Sequence, residues 1–345
     1  MSKRITLRDI AAKAGVHYTT VSMALKNHPR ISSQVTKRIQ ALSKKMGYVP
    51  DPMLSALSFY RRSKRLTHYQ STLAWVDNWP KGTRLRREPT FNDYYIGATN
   101  RAQELGYRIE EFRLQDAGMS SEKISSVLLS RGIEGILLAP QFQHGTYIPF
   151  EFENFSILTF GSSFQPAIFH SISNHQFHSM AQVLRKTTAL GYQKIGFFMD
   201  KLIDEKVDGA YGLGFLGFFQ KNPQFSFLKP ILIENPGDDL CRLFKKWFSK
   251  EKPDLIISSG DWPMLLWLKE MGLSVPRDVG YARLSVSQND IIHSGIYENG
   301  LLIGKISVDY LISLIQTREK GIPRVPVRLM VEGEWKQGKT LSVYK

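Results

Sequence analysis

One cysteine, Cys241, stands alone in 345 residues. A lone thiol excludes an internal disulfide framework and suits a reducing compartment. Such a residue is expected as a buried, small apolar filler. No run of about 18 apolar residues occurs, so no membrane-spanning helix is expected. The N-terminus carries charge without an apolar stretch, so no secretory leader is expected either. Acids are scarce where bases are dense. Residues 1–70 hold 14 Lys and Arg against Asp9 and Asp51, which is +12 of the chain's net +15. The basic character is therefore local, which points to phosphate neutralisation by one domain rather than to adhesion on a membrane. Catalytic signatures are missing too: there is no P-loop and no GxSxG elbow. Gly212, Gly214 and Gly217 spell GxGxxG without opening cleanly from a strand, so no dinucleotide is expected. His170, His175 and His178 cluster without cysteine or further spaced ligands, so neither a metal nor another cofactor is expected.

What is present begins with a compact helical stretch over residues 6–48. Thr6-Leu7-Arg8-Asp9 has the form of a capping box, and Ile10, Ala11 and Ala14 fall on one helical face. Gly15 breaks that helix. A second helix is predicted over Tyr18–Asn27, with Val21, Ala24 and Leu25 apolar and Tyr18, Thr19, Ser22 and Met23 pointing elsewhere. Two short helices around a Gly-containing turn make a helix-turn-helix. Pro29 stops the second. Ser32 or Ser33 restarts a third, buried through Val35, Ile39, Leu42 and Met46.

The residues Thr6-Leu7-Arg8-Asp9-Ile10-Ala11, Ala14-Gly15-Val16, Thr20-Val21-Ser22 and Met46-Gly47-Tyr48-Val49-Pro50 resemble the N-terminal domain of the LacI/GalR family of bacterial transcription regulators. The resemblance implies that Tyr18, Thr19 and Met23 face the major groove. It implies phosphate contacts from Thr6, Thr20, Ser22 and Ser32, with His17 and Arg30 also on the DNA side. Residues 51–66 match a hinge helix that folds when two copies meet on DNA, with Leu57 wedged into the minor groove. A helix this short is marginal alone, so coupling its folding to binding is physically sensible.

From Ser71 strands alternate with helices in two series, which implies two doubly wound, mostly parallel subdomains. Residues 1–50 are thus expected as the helix-turn-helix domain, 51–66 as the hinge and linker, and 67–345 as an effector-binding and dimerisation core. Its N-subdomain should span about 71–161 and 293–320, its C-subdomain about 162–292 and 321–345. The family resemblance continues through Gly97, Ala102–Tyr107, Arg131–Ile136, Leu190–Gly196 and Gly272–Val279, and it implies a periplasmic-binding-protein-like core. No leucine heptads mark the C-terminal end as a tetramer coil.

Ligands in such sheets bind beyond the carboxyl ends of the strands. The expected effector-binding residues are Trp75, Trp79, Tyr94, Tyr95, Asp261, Trp262 and Ser285. Here the chain departs from the family pattern. The loop Asp208-Gly209-Ala210-Tyr211 lacks the usual Arg, and Arg283-Leu284-Ser285 lacks the usual acid. A sugar or glycoside held by aromatic stacking is the expected effector, and a core that only dimerises is the alternative. The chain is expected to be a cytoplasmic homodimeric repressor on a near-palindromic double-stranded DNA operator. The alternatives are an activator of the same family and a solute-binding protein with no DNA role. An enzyme is not expected, because no nucleophile or base stands in a recognisable setting.

Overall fold

A computed structural model describes residues 5–25, 28, 30–48, 71–115, 121–145, 148, 151–234, 239–260 and 262–344. Two compact units divide the chain, Met1–Thr67 and His68–Lys345.

The first unit holds α1 (Leu7–Ala14), α2 (Tyr18–Leu25) and α3 (Ser33–Lys45). Thr6 starts α1 with a complete capping box. Its hydroxyl accepts from the Asp9 N–H at 3.3 Å, and the Asp9 carboxylate accepts from the Thr6 N–H at 2.7 Å. Gly15 ends the helix at φ 66°, a left-handed conformation that glycine adopts without strain. Ile10, Val21, Ala24 and Ile39 have no exposed surface and form the core. Arg38 donates to the Ala14 carbonyl at 3.2 Å and Gln40 to the Ala24 carbonyl at 3.4 Å, so α3 ties down both shorter helices.

The second unit opens with β1 (Ser71–Asp77), α4 (Pro89–Glu104), β2 (Tyr107–Arg113), α5 (Ser121–Ser130), β3 (Gly135–Leu138), β4 (Ser156–Phe160) and β5 (His170–Asn174). The chain then crosses to a second series: α6 (Gln176–Ala189), β6 (Lys194–Asp200), α7 (Lys201–Lys206), α8 (Ala210–Lys221), β7 (Ser226–Phe227) and β8 (Ile231–Ile233). That series continues with α9 (Leu240–Glu251), β9 (Leu255–Ser258), α10 (Met264–Glu270), β10 (Gly280–Arg283) and β11 (Ser294–Tyr297). It returns for α11 (Gly300–Thr317) and β12 (Arg328–Val331), then crosses a third time to β13 (Glu334–Lys336). The first sheet runs β12-β5-β4-β3-β1-β2, all parallel. The second runs β13-β11-β10-β9-β6-β7, with β8 also on β6, and is parallel except at β13. The expected subdomain limits shift accordingly. Residues 170–174 and 328–331 belong to the first sheet, and 294–297 to the second.

Alternation along the strands distributes the cores. On β1, Leu73 and Trp75 face the cluster shared with α4 and α11, while Ala74 and Val76 face the α5 side. On β6, Ile195, Phe197 and Met199 join α6 and α8, while Phe198 joins α9 and α10. α4 and α11 approach backbone to backbone: a Cβ at Gly304 would lie 2.1 Å from the Tyr94 carbonyl oxygen. α11 is long and apolar enough by composition to cross a membrane, yet Lys305 and Asp309 interrupt its apolar residues and its inward face (Ile303, Val308, Leu311) is buried in the first core. Gly212, Gly214 and Gly217 all lie inside α8, so they form no strand-to-helix loop. Cys241 is half-buried, not the buried filler expected, because it sits on the outer margin of the α9–α10 cluster near Glu270.

Candidate nucleic-acid interface and ligand cleft

Burial of Val21 and Ala24 turns the opposite face of α2 outward. His17, Tyr18 and Thr19 are exposed at its start, and Thr20, Ser22 and Met23 are half-buried beside them. This edge is ordered by its own contacts. His17 Nδ1 lies 2.8 Å from the Thr19 hydroxyl, and its ring packs on Tyr18 with centroids 4.5 Å apart. The Arg8 guanidinium approaches the same tyrosine ring at 6.0 Å. Ser32 accepts from the Val35 N–H at 3.4 Å and stays exposed, as does Arg30, whose N–H donates to His28 Nδ1 at 3.2 Å. Thr6 keeps its hydroxyl on Asp9, donating at 2.7 Å, so its capping duty accompanies any contact to phosphate. Arg8, Lys13, Arg30, Lys37, Arg38, Lys44 and Lys45 are all exposed on this unit. Such an edge, with polar side chains on a short rigid helix and bases around it, can present donors and apolar groups to a DNA groove. Leu57 and the hinge at 51–66 lie outside the described residues.

Side chains at the carboxyl ends of the second unit's two sheets meet one another. Asp77 closes β1 and accepts from the Trp79 N–H at 2.8 Å, which swings Trp79 over the strand ends. The Trp79 indole N–H then donates to the Pro140 carbonyl at 2.8 Å, and its ring meets Phe91 and Phe142 edge-on. Across the gap, the Lys206 ammonium sits 5.6 Å from the Phe142 ring centroid, a cation–π contact between subdomains. Burial lowers the Lys206 pKa, against the pull of Asp200 and Glu88. A second bridge joins the Thr90 hydroxyl on α4 to the Ser285 hydroxyl after β10, at 3.2 Å. A third joins the Tyr297 hydroxyl to Asp93, to which it donates at 3.4 Å.

Glu298 is the centre of this site. It follows β11, and its carboxyl lies near the hydroxyls of Ser285, Tyr94 and Tyr211. The residue is half-buried. Desolvation pushes its pKa up to about 7, and the three hydroxyls only partly offset this. Tyr94 and Tyr211 are pushed well above the ordinary tyrosine value, first by burial and then by Glu298. Burial also raises Asp93 and Asp204. A carboxyl poised near neutrality and ringed by hydroxyls can donate to or accept from a polar ligand group.

Of the expected effector residues, Tyr94 and Ser285 meet at Glu298. Trp79 packs on Phe91, which also meets Tyr94, while Tyr95 packs edge-on against the buried Trp75 with the Arg86 guanidinium 4.2 Å over its ring. Trp75 is corrected. It has no accessible surface and is packed between Tyr95 and Phe160, because inward alternation on β1 places it in the core. Trp262 packs edge-on against Phe198 and donates its indole N–H to the Ser259 carbonyl, so its polar edge is used internally. Asp261 lies outside the described residues. Sequence reasoning missed Glu298. It looked for an acid at Ser285, whereas the acid arrives from the next strand, 13 residues on, at the Glu298-Asn299-Gly300 step into α11. A surface depression of about 740 Å³ lies elsewhere, beside Arg108, Glu110 and Arg131 on the β2 edge. It is open, and these charged groups already pair with one another.

Residues 6–51 match the family model described as bacterial regulatory proteins, lacI family. The chain is 26% identical over 136 residues to the HTH-type transcriptional regulator DegA of Bacillus subtilis (strain 168), a stretch covering 39% of this chain and 36% of DegA. The chain therefore spans little more than a third of that curated relative. The transcriptional regulator CelR in complex with cellobiose superposes with a TM-score of 0.62 at 17% identity, over 98% of this chain and all of that one, 100%. The lac repressor dimer bound to operator and the anti-inducer ONPF superposes with a TM-score of 0.57 at 18% identity, covering 98% of this chain and 99% of that one. These likenesses show a shared fold: N-terminal helices followed by two parallel-sheet α/β subdomains.

Proposed function

We propose that this chain, which belongs to the LacI family through residues 6–51, is a sequence-specific DNA-binding transcriptional regulator controlled by a small polar ligand. The observation that carries the reading is the head itself: a capped helix-turn-helix that exposes His17, Tyr18 and Thr19, with seven exposed bases among the described residues around them. It acts in the cytoplasm as a homodimer on a near-palindromic operator, and occupancy of that operator represses transcription. The lac repressor, described as a dimer on its operator, supports this arrangement. Selection of binding sites from random DNA by the purified chain tests it. Two inverted half-sites should emerge, and a pool without enriched sequence would contradict the reading.

The effector is a sugar or glycoside seated at Glu298, as the cellobiose complex of CelR supports. Without an Arg near Tyr211, the ligand's hydroxyls meet Glu298, Ser285 and the two tyrosines, with Trp79 and Phe142 at the mouth. Closure around it shifts the population of the DNA-competent state. In a thermal-shift screen of sugars, sugar phosphates and nucleosides, a ligand at 100 times its dissociation constant adds roughly 2.7 kcal/mol of stability. A hit should lose most of its shift in Tyr211→Phe and Glu298→Gln. A shift kept by both variants would remove the ligand from this cleft.

A further inference from the structure

The three connections between the sheets pass through residues 174–176, 297–300 and 331–334. His175, on the first, caps α6: its Nδ1 accepts from the His178 N–H at 3.4 Å. Its own N–H donates to the Val331 carbonyl at 2.9 Å, which fixes it beside the third connection. His178 lies one turn along, its ring stacked on that of His175 with centroids 3.8 Å apart and planes 5° from parallel. Its Nδ1 is 2.8 Å from Glu332 Oε1, on the third connection. The Glu332 carbonyl in turn accepts from Asn299 Nδ2 at 2.8 Å, so the second connection holds it in place. One ligand atom from each of His175, His178 and Glu332 lies within 4.8 Å of the others.

We propose that His175, His178 and Glu332 bind one first-row divalent transition ion of the zinc class, at the junction of the crossovers. Two imidazoles and one carboxylate form a mixed nitrogen and oxygen set that suits zinc, nickel or copper rather than magnesium or calcium. Three protein ligands leave a fourth position for water. Bonds of about 2.0–2.1 Å in a tetrahedron need ligand atoms about 3.4 Å apart. Rotation of all three side chains supplies that difference, with His175 giving up its cap to free a ring nitrogen, because hydrogen bonds to main-chain atoms already hold the backbones of His175 and Glu332. The N-terminus of α6 disfavours a cation, and the Glu332 carboxylate offsets it. An exposed His–Glu pair alone contributes little, whereas a shared ion links the first and third crossovers directly. Sequence reading saw only the two histidines, since Glu332 arrives from 154 residues away.

Calorimetry on the untagged full chain, stripped with chelator, tests this with Zn²⁺ alone and Mg²⁺ as the contrast. The expected result is one equivalent of Zn²⁺ per chain and no Mg²⁺ heat. Affinity should fall about tenfold or more in His178→Ala and in Glu332→Gln, and stay unchanged in His144→Ala. Matching thermal melts of the metal-free variants separate loss of the site from loss of the fold. On the unmutated chain, Zn²⁺ should shield His175 and His178 from diethyl pyrocarbonate while His144 reacts as before. Far less than one equivalent, equal affinity in both site variants, or unshielded histidines would overturn the proposal.

Discussion

Glu298 carries the sharpest consequence at the level of single residues. Its carboxyl, ordinarily near 4.5, is held at about 7 by burial. Between those values the folded chain binds a proton that the unfolded chain has lost. Stability from this group is therefore full below about pH 4.5, falls as pH rises through 7, and is flat above. A rise of this size corresponds to a penalty on the order of 3 kcal/mol for the ionised form. Glu298→Gln removes the titration. The variant should match the parent near pH 4.5 and exceed it at pH 8, by at most that amount, in denaturant titrations. Parallel pH profiles would refute the raised carboxyl pKa. Met23, beside the exposed edge of α2, has no donor to offer a base edge. Met23→Arg should change which bases are selected at one position of each half-site, and the same consensus at lower affinity would count against its place in the groove.

Among the elements, the crossing of α4 and α11 depends on backbone contact. Gly304→Ala would drive a Cβ against the Tyr94 carbonyl and should cost about 1–3 kcal/mol, read as a lower denaturant midpoint. Gly217, inside α8, has nothing within 4 Å of the added Cβ. Gly217→Ala should therefore stabilise by about 0.5–1 kcal/mol. Equal effects of the two would contradict the close crossing. The same scale shows what was legible. Capping boxes and periodicity are local signals, so α1 and α3 stood out in the sequence, as did the buried Val- and Ile-rich strands. β5 did not, because His170-Ser171-Ile172-Ser173-Asn174 reads as polar loop. Its polar groups are satisfied from far along the chain: His170 Nδ1 accepts from the Val327 N–H at 2.9 Å, and Ser171 accepts from Arg328 at 2.8 Å. α11 escaped as well, since its first turn has no acid and Asn299 leads in without a side-chain cap.

At the scale of the whole chain, the first unit was legible in advance as a basic helix-turn-helix, because charge asymmetry, caps and turn lie close together in the sequence. The cleft was legible only in outline. Trp79 and Ser285 lie just beyond strand ends and Tyr94 on α4, whereas Glu298 and Glu332 gain their neighbours through chain crossings that no local pattern encodes. The hinge brings a whole-molecule test. Leu57→Ala should weaken binding to a selected site far more than to random DNA, since the bases that neutralise phosphates remain. Equal losses on both would count against a minor-groove wedge. The central claim is sequence-specific DNA binding by a pair of chains. The direct measurement is a titration of the full chain, at one fixed salt concentration, on a selected site and on a shuffled duplex of the same composition. Two chains per selected duplex are expected, with an affinity at least about 10³-fold above the shuffled one. Equal affinity for the two duplexes would contradict it.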